Sequence, residues 1–377
     1  MTPILPPAWL GVLGGGQLGL FFVVAARQMG YRVAVLDPER DSPAGAFANR
    51  HFAAPYDDRV ALQELAGLCA AVTTEFENVP AESLAFLAER IRVAPSAQCV
   101  ATAQDRIREK AAVRTIGLPV GPYAPVEREA DFARADLDLY PGVLKTARFG
   151  YDGKGQARVE SQAEAVRAWE AMRRVPCVLE KRLDLEREVS AIVARGADGD
   201  TRVFSMAENR HRHGILDVST VPARISSALA DEARTFAARL ASGLSYEGVL
   251  GVEFFVVGGR LLVNEMAPRP HNSGHYTMDA CAASQYAQQV RALCGLPLGD
   301  ERLLSPATMV NLLGDLWGST EPAWRDVLAE ARAHLYLYGK SSARPGRKMG
   351  HFTVLDADPA RALETALALR AKLGIRD

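Results

Sequence analysis

Residues 264–277, NEMAPRPHNSGHYT, bring a carboxylate, a guanidinium and two imidazoles into one short segment. Glu265 ends the apolar run LLVNE. Pro268 and Pro270 then limit the backbone freedom of Arg269 and His271, and Asn272 follows at once. Groups of these types, held stiffly together, suit two tasks. They can stabilise an anionic oxygen, and they can move a proton.

A second acid belongs with this stretch. Glu253 lies in GVEFF, one strand earlier, and Gly258-Gly259 between the two segments signals a hairpin. A three-residue loop of Gly258, Gly259 and Arg260 would pair Val257 with Leu261 and set Glu253 opposite Glu265. A two-residue turn would put the two acids on opposite faces. Facing carboxylates destabilise a sheet unless a cation lies between them. Hard oxygen ligands suit Mg²⁺, which usually adds phosphate oxygens and waters to one or two carboxylates. The plainer reading is two acids on a solvated strand, but both sit in strongly apolar segments, which favours the metal.

Other residues could meet phosphate. The loop ARFGYDGKGQ has three glycines around Tyr151, Asp152 and Lys154. It is no Walker loop, yet such a loop can fold its amides over phosphates, or simply be a hairpin tip. Lys145 ends the strand before it and is a suitable point charge. Arg106 and Lys110 share a helix face, which spacing alone would leave as an exposed basic face. Glu186, Glu188 and Ser190 share a strand face that could meet ribose hydroxyls or solvent. The basic loop with Lys340, Arg344, Arg347, Lys348 and His351 suits a phosphate monoester. Interleaved stacking aromatics are missing from it, which argues against nucleic acid.

The elements that must position these groups are readable. The first hundred residues alternate strand and helix, the pattern of a parallel sheet with right-handed crossovers. There, Gly14-Gly15-Gly16-Gln17-Leu18-Gly19 follows a strand, opens a helix, and precedes Asp37 at the next strand's end. Alone this predicts a dinucleotide site; the competing reading is a tight turn whose amides hold another anion or nothing. Helices are expected over 17–29, 59–69, 161–173, 228–243 and 322–332, with a closing helix at the C-terminus. EREVSAIVAR and TRVFSM read as antiparallel strands, and AHLYLYG and FTVL as strands flanking the basic loop.

Composition sets limits. The chain has 377 residues, 48% hydrophobic and 24% charged, with a formal net charge of −1. That length implies two or three domains, and that charge argues against a general nucleic-acid binder. The five cysteines form no C-x-x-C pair and read as reduced thiols of a cytoplasmic protein. MTPILPPAWLG lacks the basic stretch of a signal peptide, and LGLFFVVAA is too short to span a bilayer.

GVLGGGQLG, LDP, TTEFENVP, GYDGKGQ, NEMAPRPHNSGHYT and RPGRKMGH occur in one order over the whole chain. This set resembles the 5-(carboxyamino)imidazole ribonucleotide synthetases, ATP-grasp enzymes of purine biosynthesis. The resemblance implies α/β and α+β architecture: a Rossmann-like N-terminal domain over 1–99, an ATP-grasp domain over 100–297 and a small C-terminal domain over 298–377. It implies a homodimer that uses ATP, Mg²⁺, bicarbonate and 5-aminoimidazole ribonucleotide, with no nucleic-acid or membrane partner. By position, ATP would meet Arg106, Lys145, Glu180, Lys181, Leu183, Glu188, His211, Asn264 and Glu265. Glu253 and Glu265 would hold the metal. Asp152, Lys154, Arg269 and His271 would act in catalysis, with Asp152 the first candidate base and His271 the second. Tyr151, Asn272, Lys340 and Arg347 would bind the acceptor nucleotide. The chain departs from the pattern at Lys154, where relatives often carry Arg, and at His213, often acidic in relatives. Another ATP-grasp ligase of a purine-pathway nucleotide is the alternative, and an NAD-binding oxidoreductase a more distant one.

Overall fold

The computed structural model describes residues 2–150, 155–318 and 320–376. Among these, the strands form three sheets. The first holds β1 (Trp9–Leu13), β2 (Arg32–Leu36), β3 (Arg50–Phe52), β4 (Ala71–Thr74) and β5 (Arg92–Val93). All its neighbours are parallel, in the order β3-β2-β1-β4-β5, as the strand-helix alternation predicts. The expected first helix runs over Gln17–Gln28, and one of its faces lies in a core with Tyr286, Val290, Leu293 and Tyr338 from later in the chain.

The second sheet is antiparallel: β6 (Tyr123–Val126), β7 (Gly142–Thr146), β8 (Gln156–Val159) and β9 (Cys177–Lys181), ordered β6-β9-β7-β8. The third is larger. It takes β10 (Arg187–Arg195), β11 (Thr201–Val203), β12 (Ala207–Arg212), β13 (Ile215–Val221), β14 (Gly248–Val257) and β15 (Arg260–Ala267). It continues through β16 (Ala307–Leu313), β17 (Ala333–Leu337) and β18 (Lys348–Leu355). The order is β15-β14-β10-β12-β13-β16-β18-β17, with β11 on β10. Since β16 pairs with β13, the C-terminal strands extend the central sheet directly. The helix expected over 322–332 is confined to Trp324–Leu328.

Two local features aim side chains at the cleft between the second and third sheets. Asp105 caps the helix Arg106–Thr115 by accepting from the amides of Ile107 and Arg108, which fixes where that helix begins. Arg106, Glu109 and Lys110 then share its inward side, with Glu109 and Lys110 buried. The other feature is the β14–β15 hairpin. Gly258 and Gly259 both have positive φ, and Val257 pairs with Arg260, so the loop is two residues and not three. That turn alone would have separated the acids. A bulge corrects it: Phe254 pairs with Val263 but Glu253 pairs with Glu265, leaving Asn264 as the extra residue. The acids face each other after all, and Asn264 and Glu265 both line the cleft.

Candidate functional site

The cleft has two adjoining parts. One is walled by Val143, Leu183, Leu185, Phe255 and Val263, with Glu180, Lys181 and Lys145 at its rim. Such a slot suits a flat base. Lys145 and Asn264 also border the second part, which is strongly polar and carries Arg106, Glu188, His211, Glu253, Glu265, Arg269, His271 and Asn272.

Charges in the cleft are arranged in pairs. Lys145 Nζ donates to Glu180 at 3.0 Å, and Lys110 Nζ lies 3.3 Å from the other oxygen of the same carboxylate. Burial opposes the charge on Glu180, but Lys145 and Lys110 outweigh it and hold its pKa below the usual range. His211 Nδ1 stands 3.0 Å from Glu188. Burial works against a charged His211, yet Glu188 wins and raises its pKa.

At the cleft floor, Arg106 Nη1 donates to Glu265 at 2.8 Å. Burial and the charge of Glu265 push the pKa of Glu253 up. Glu265 meets the same burial, but the charge and hydrogen bond of Arg106 keep it down and ionised. Beside them, the Asn264 Oδ1 is buried without a hydrogen-bond partner. Two carboxylates and an orphaned amide oxygen are hard donors and fit Mg²⁺. Among the described residues, no group of three or more His, Cys, Asp or Glu side chains could hold an ion. The remaining ligands would therefore be substrate oxygens and water, the usual habit of Mg²⁺.

The loop that carries Arg269, His271 and Asn272 is held from behind. Arg269 pairs with Glu77, from the TTEFENVP segment, and donates to the Pro270 carbonyl at 3.1 Å. Gln285, fully buried in the helix Gln285–Leu293, accepts from the His271 amide and donates to the His271 carbonyl, both at 2.8 Å. Gln289, one turn on, accepts from the Val249 amide and donates to Thr73 Oγ1, tying this helix to β4 and β14. Burial, with help from Arg269, lowers the His271 pKa to about 3, so the ring is neutral. Asn272 is buried, with both ends of its amide unpartnered. Such an amide has hydrogen bonds to offer a ligand.

Of the other expected residues, Lys340 donates to Gln17 Oε1 and to the Lys348 carbonyl, both at 2.8 Å. Arg347 donates to Ser342 Oγ at 2.8 Å and reaches Glu39 at 3.4 Å. Neither lines the cleft, whereas Lys348 of the same loop does. Tyr151, Asp152 and Lys154 lie outside the described residues.

The glycine-rich turn at the start of the chain uses three of its amides internally. The Gly15 amide donates to Asp37 at 2.7 Å, and the amides of Gly16 and Gly19 donate to Glu75 at 2.8 and 3.0 Å. Two internal carboxylates, Asp37 and Glu75, hold these three amides. A Cβ on Gly15 would stand 2.5 Å from Ser42 and 2.8 Å from Asp37, so the glycines admit these side chains. This weakens the NAD reading.

Sequence reasoning missed Glu75, Glu77, Glu109 and Gln285 as parts of this region. Glu109 accepts from the Met266 amide, and burial raises its pKa to about 8. A signal existed for three of the four: Glu75 and Glu77 follow closely on the buried strand β4, and Glu109 lies between Arg106 and Lys110 in sequence. Gln285 carried none, because an amide on an ordinary helix attracts no chemical suspicion.

Three family models match the chain in succession. They are a ribonucleotide synthetase preATP-grasp domain over residues 8–104, an ATP-grasp domain over 111–286, and a phosphoribosylaminoimidazole carboxylase C-terminal domain over 307–365. The N5-carboxyaminoimidazole ribonucleotide synthase of Bacillus subtilis is 44% identical over 354 residues, 93% of this chain and 92% of that protein. An N5-carboxyaminoimidazole ribonucleotide synthetase solved as its ADP complex superposes with a TM-score of 0.91 at 43% identity, covering 98% of both chains. The Aspergillus clavatus synthase solved with ADP and 5-aminoimidazole ribonucleotide superposes with a TM-score of 0.88 at 30% identity, covering 97% of this chain and 98% of that one.

Proposed function

The chain belongs to the N5-carboxyaminoimidazole ribonucleotide synthetases, and from that premise we propose that it carboxylates 5-aminoimidazole ribonucleotide with bicarbonate at the expense of ATP. The observation that carries this reading is the facing pair Glu253 and Glu265, set by the Asn264 bulge between an apolar slot and a stiffened acceptor loop.

Bicarbonate is a poor electrophile because its leaving group would be hydroxide. A bicarbonate oxygen attacks the γ-phosphorus, ADP leaves, and carboxyphosphate forms. The exocyclic amine then attacks the carboxyl carbon, or CO₂ released from it in the closed site. Phosphate departs and the amine loses one proton. Glu253, Glu265 and Asn264 would hold Mg²⁺, which supplies charge neutralisation for the transferring phosphoryl group. Lys145 and Arg106 add fixed positive charge. Glu180, Lys181 and Leu183 would meet adenine, Glu188 the ribose, and His211 the nucleotide. Arg269 would steady the anionic intermediate. Tyr151 and Asn272 would contact the acceptor, Lys340 and Arg347 its 5′-phosphate, and Lys154 would act with Asp152 in catalysis. Asp152 is our candidate for the amine proton.

We also propose domain limits near residues 99 and 297, a homodimeric assembly and a cytoplasmic setting. The succession of three family models supports the limits. No helix among the described residues is long and apolar enough to cross a membrane.

The test is ADP release from ATP and Mg²⁺ with bicarbonate, with and without 5-aminoimidazole ribonucleotide. Strong stimulation that requires both bicarbonate and the nucleotide supports the proposal. Stimulation by another acceptor, or none, refutes it.

A further inference from the structure

Behind the His271 ring runs a chain of buried polar side chains from three strands and the acceptor loop. Ser219 Oγ on β13 donates to Asn209 Oδ1 on β12 at 2.8 Å. Asn209 Nδ2 donates to Ser190 Oγ on β10 at 2.9 Å, and Ser190 Oγ donates to Ser273 Oγ at 2.7 Å. Ser273 Oγ lies 2.9 Å from His271 Nδ1. Ser190, Ser219 and Ser273 are at most 1% exposed, and Asn209 is 7% exposed.

The polarity of this chain follows from counting protons. Each serine hydroxyl has one proton to give. The Ser190 proton goes to Ser273, so the Ser273 proton is free for Nδ1. A second donor removes the ambiguity that hydroxyls leave: the Ser273 main-chain amide points at the same Nδ1, at 3.4 Å. An amide can only donate, so Nδ1 must present its lone pair. On the other side of the ring, Nε2 lies on the cleft side, 3.5 Å from a Glu253 oxygen. The amide donor at Nδ1 therefore favours the tautomer with the proton on Nε2. The ring also has little freedom to turn. Gln285 clasps both main-chain groups of His271, and a Cβ on Gly251 would come within 2.7 Å of the His271 Cβ.

We infer that His271 is held with its proton on Nε2, and that it donates a hydrogen bond into the cleft and does not accept the amine proton. Ser273, Ser190, Asn209 and Ser219 are then positioning residues that act through His271. The anionic oxygen receiving the bond is the carboxyl or phosphoryl oxygen of the activated bicarbonate, an identity that rests on the function proposed above. The tautomer does not rest on it. A donor aimed in advance at developing negative charge lowers a barrier without reorganising during the reaction.

Ring-nitrogen NMR of the full-length protein, with labelled histidine, reads the tautomer directly. The His271 signals are identified by their loss in His271→Gln. The expected pattern is a pyridine-type Nδ1 and a pyrrole-type Nε2 in the free protein. In Ser273→Ala the main-chain amide donor stays, so the tautomer should hold while the Nδ1 signal shifts with the loss of the hydroxyl partner. A protonated Nδ1 in the unsubstituted protein would overturn the inference. Kinetics gives a second readout. A glutamine amide can replace the Nε2–H donor, whereas an asparagine amide is too short to reach it. His271→Gln should keep turnover within roughly tenfold, and His271→Asn should lose about 10²- to 10³-fold, the scale of a lost oxyanion donor. Ser273→Ala should lower kcat while leaving the KM for ATP within about twofold, and Ser190→Ala serves if that protein does not fold. The reverse order of Gln and Asn would overturn the donor role. A wrong function would show differently, as failure of the aminoimidazole nucleotide to stimulate ADP release by the unsubstituted protein.

Discussion

Glu265→Gln separates chemistry from folding. The substitution keeps shape and removes one negative charge from a site where two carboxylates face each other. It also takes the ionic partner from Arg106, now 2.8 Å away. Two unit charges about 4 Å apart interact by about 1 kcal/mol in water and about 4 kcal/mol at an effective dielectric constant near 20. The Glu265 side chain is 38% exposed to the cleft, so the lower figure applies and the lost pair costs about 1 kcal/mol. Relief of the repulsion with Glu253 returns a similar amount. The two nearly cancel, and the melting temperature should move by no more than about 3 °C. Turnover cannot be compensated in this way. Losing one of the carboxylates proposed to hold Mg²⁺ should lower kcat by about 10²- to 10³-fold, as loss of one preorganised electrostatic contact does elsewhere. Melting curves and steady-state ADP release, measured on the same preparation, check both halves. Near-normal turnover in a protein that melts normally would refute the metal assignment.

Further outcomes follow from the same geometry. Gln285→Ala strands the buried main-chain amide and carbonyl of His271, and should cost about 2–4 kcal/mol in a denaturant titration. Lys340→Ala should raise the KM for the aminoimidazole nucleotide more than that for ATP; an equal rise in both would count against phosphate recognition by this loop. Burial and the neighbouring Arg347 lower the Lys340 pKa to about 8. Its charge is present below that pH and lost above it, so kcat/KM for the nucleotide should fall as pH rises through about 8. That limb should vanish in Lys340→Met. A nicotinamide cofactor titration should give no saturable signal, because Asp37 and Glu75 already hold the amides of the glycine-rich turn.

Much of this organisation was legible in the sequence because the relevant patterns are local. Alternating strands and helices announced the five-stranded parallel sheet, and Gly258-Gly259 announced the hairpin. The facing glutamates were reached through a wrong loop length. Only the bulge at Asn264 restores their register, and a bulge leaves no simple periodic trace. The fingerprint around Gly14–Gly19 misled for a related reason. Its glycines do permit close approach, but to Glu75 and Asp37, and sequence spacing does not say which anion approaches. Long-range clasps were out of reach altogether. Gln285 to His271, Glu77 to Arg269 and Lys340 to Gln17 join segments whose proximity is a property of the assembled fold.

The central claim is that ATP activates bicarbonate by phosphorylation, at the carboxylate pair. Bicarbonate labelled in its oxygens tests it most directly, with the inorganic phosphate released during turnover with 5-aminoimidazole ribonucleotide analysed by mass. Transfer of one labelled oxygen per phosphate is the predicted result, because the oxygen that attacks the γ-phosphorus leaves with it. Phosphate carrying no label above a control with unlabelled bicarbonate, while ADP is still formed, would contradict it.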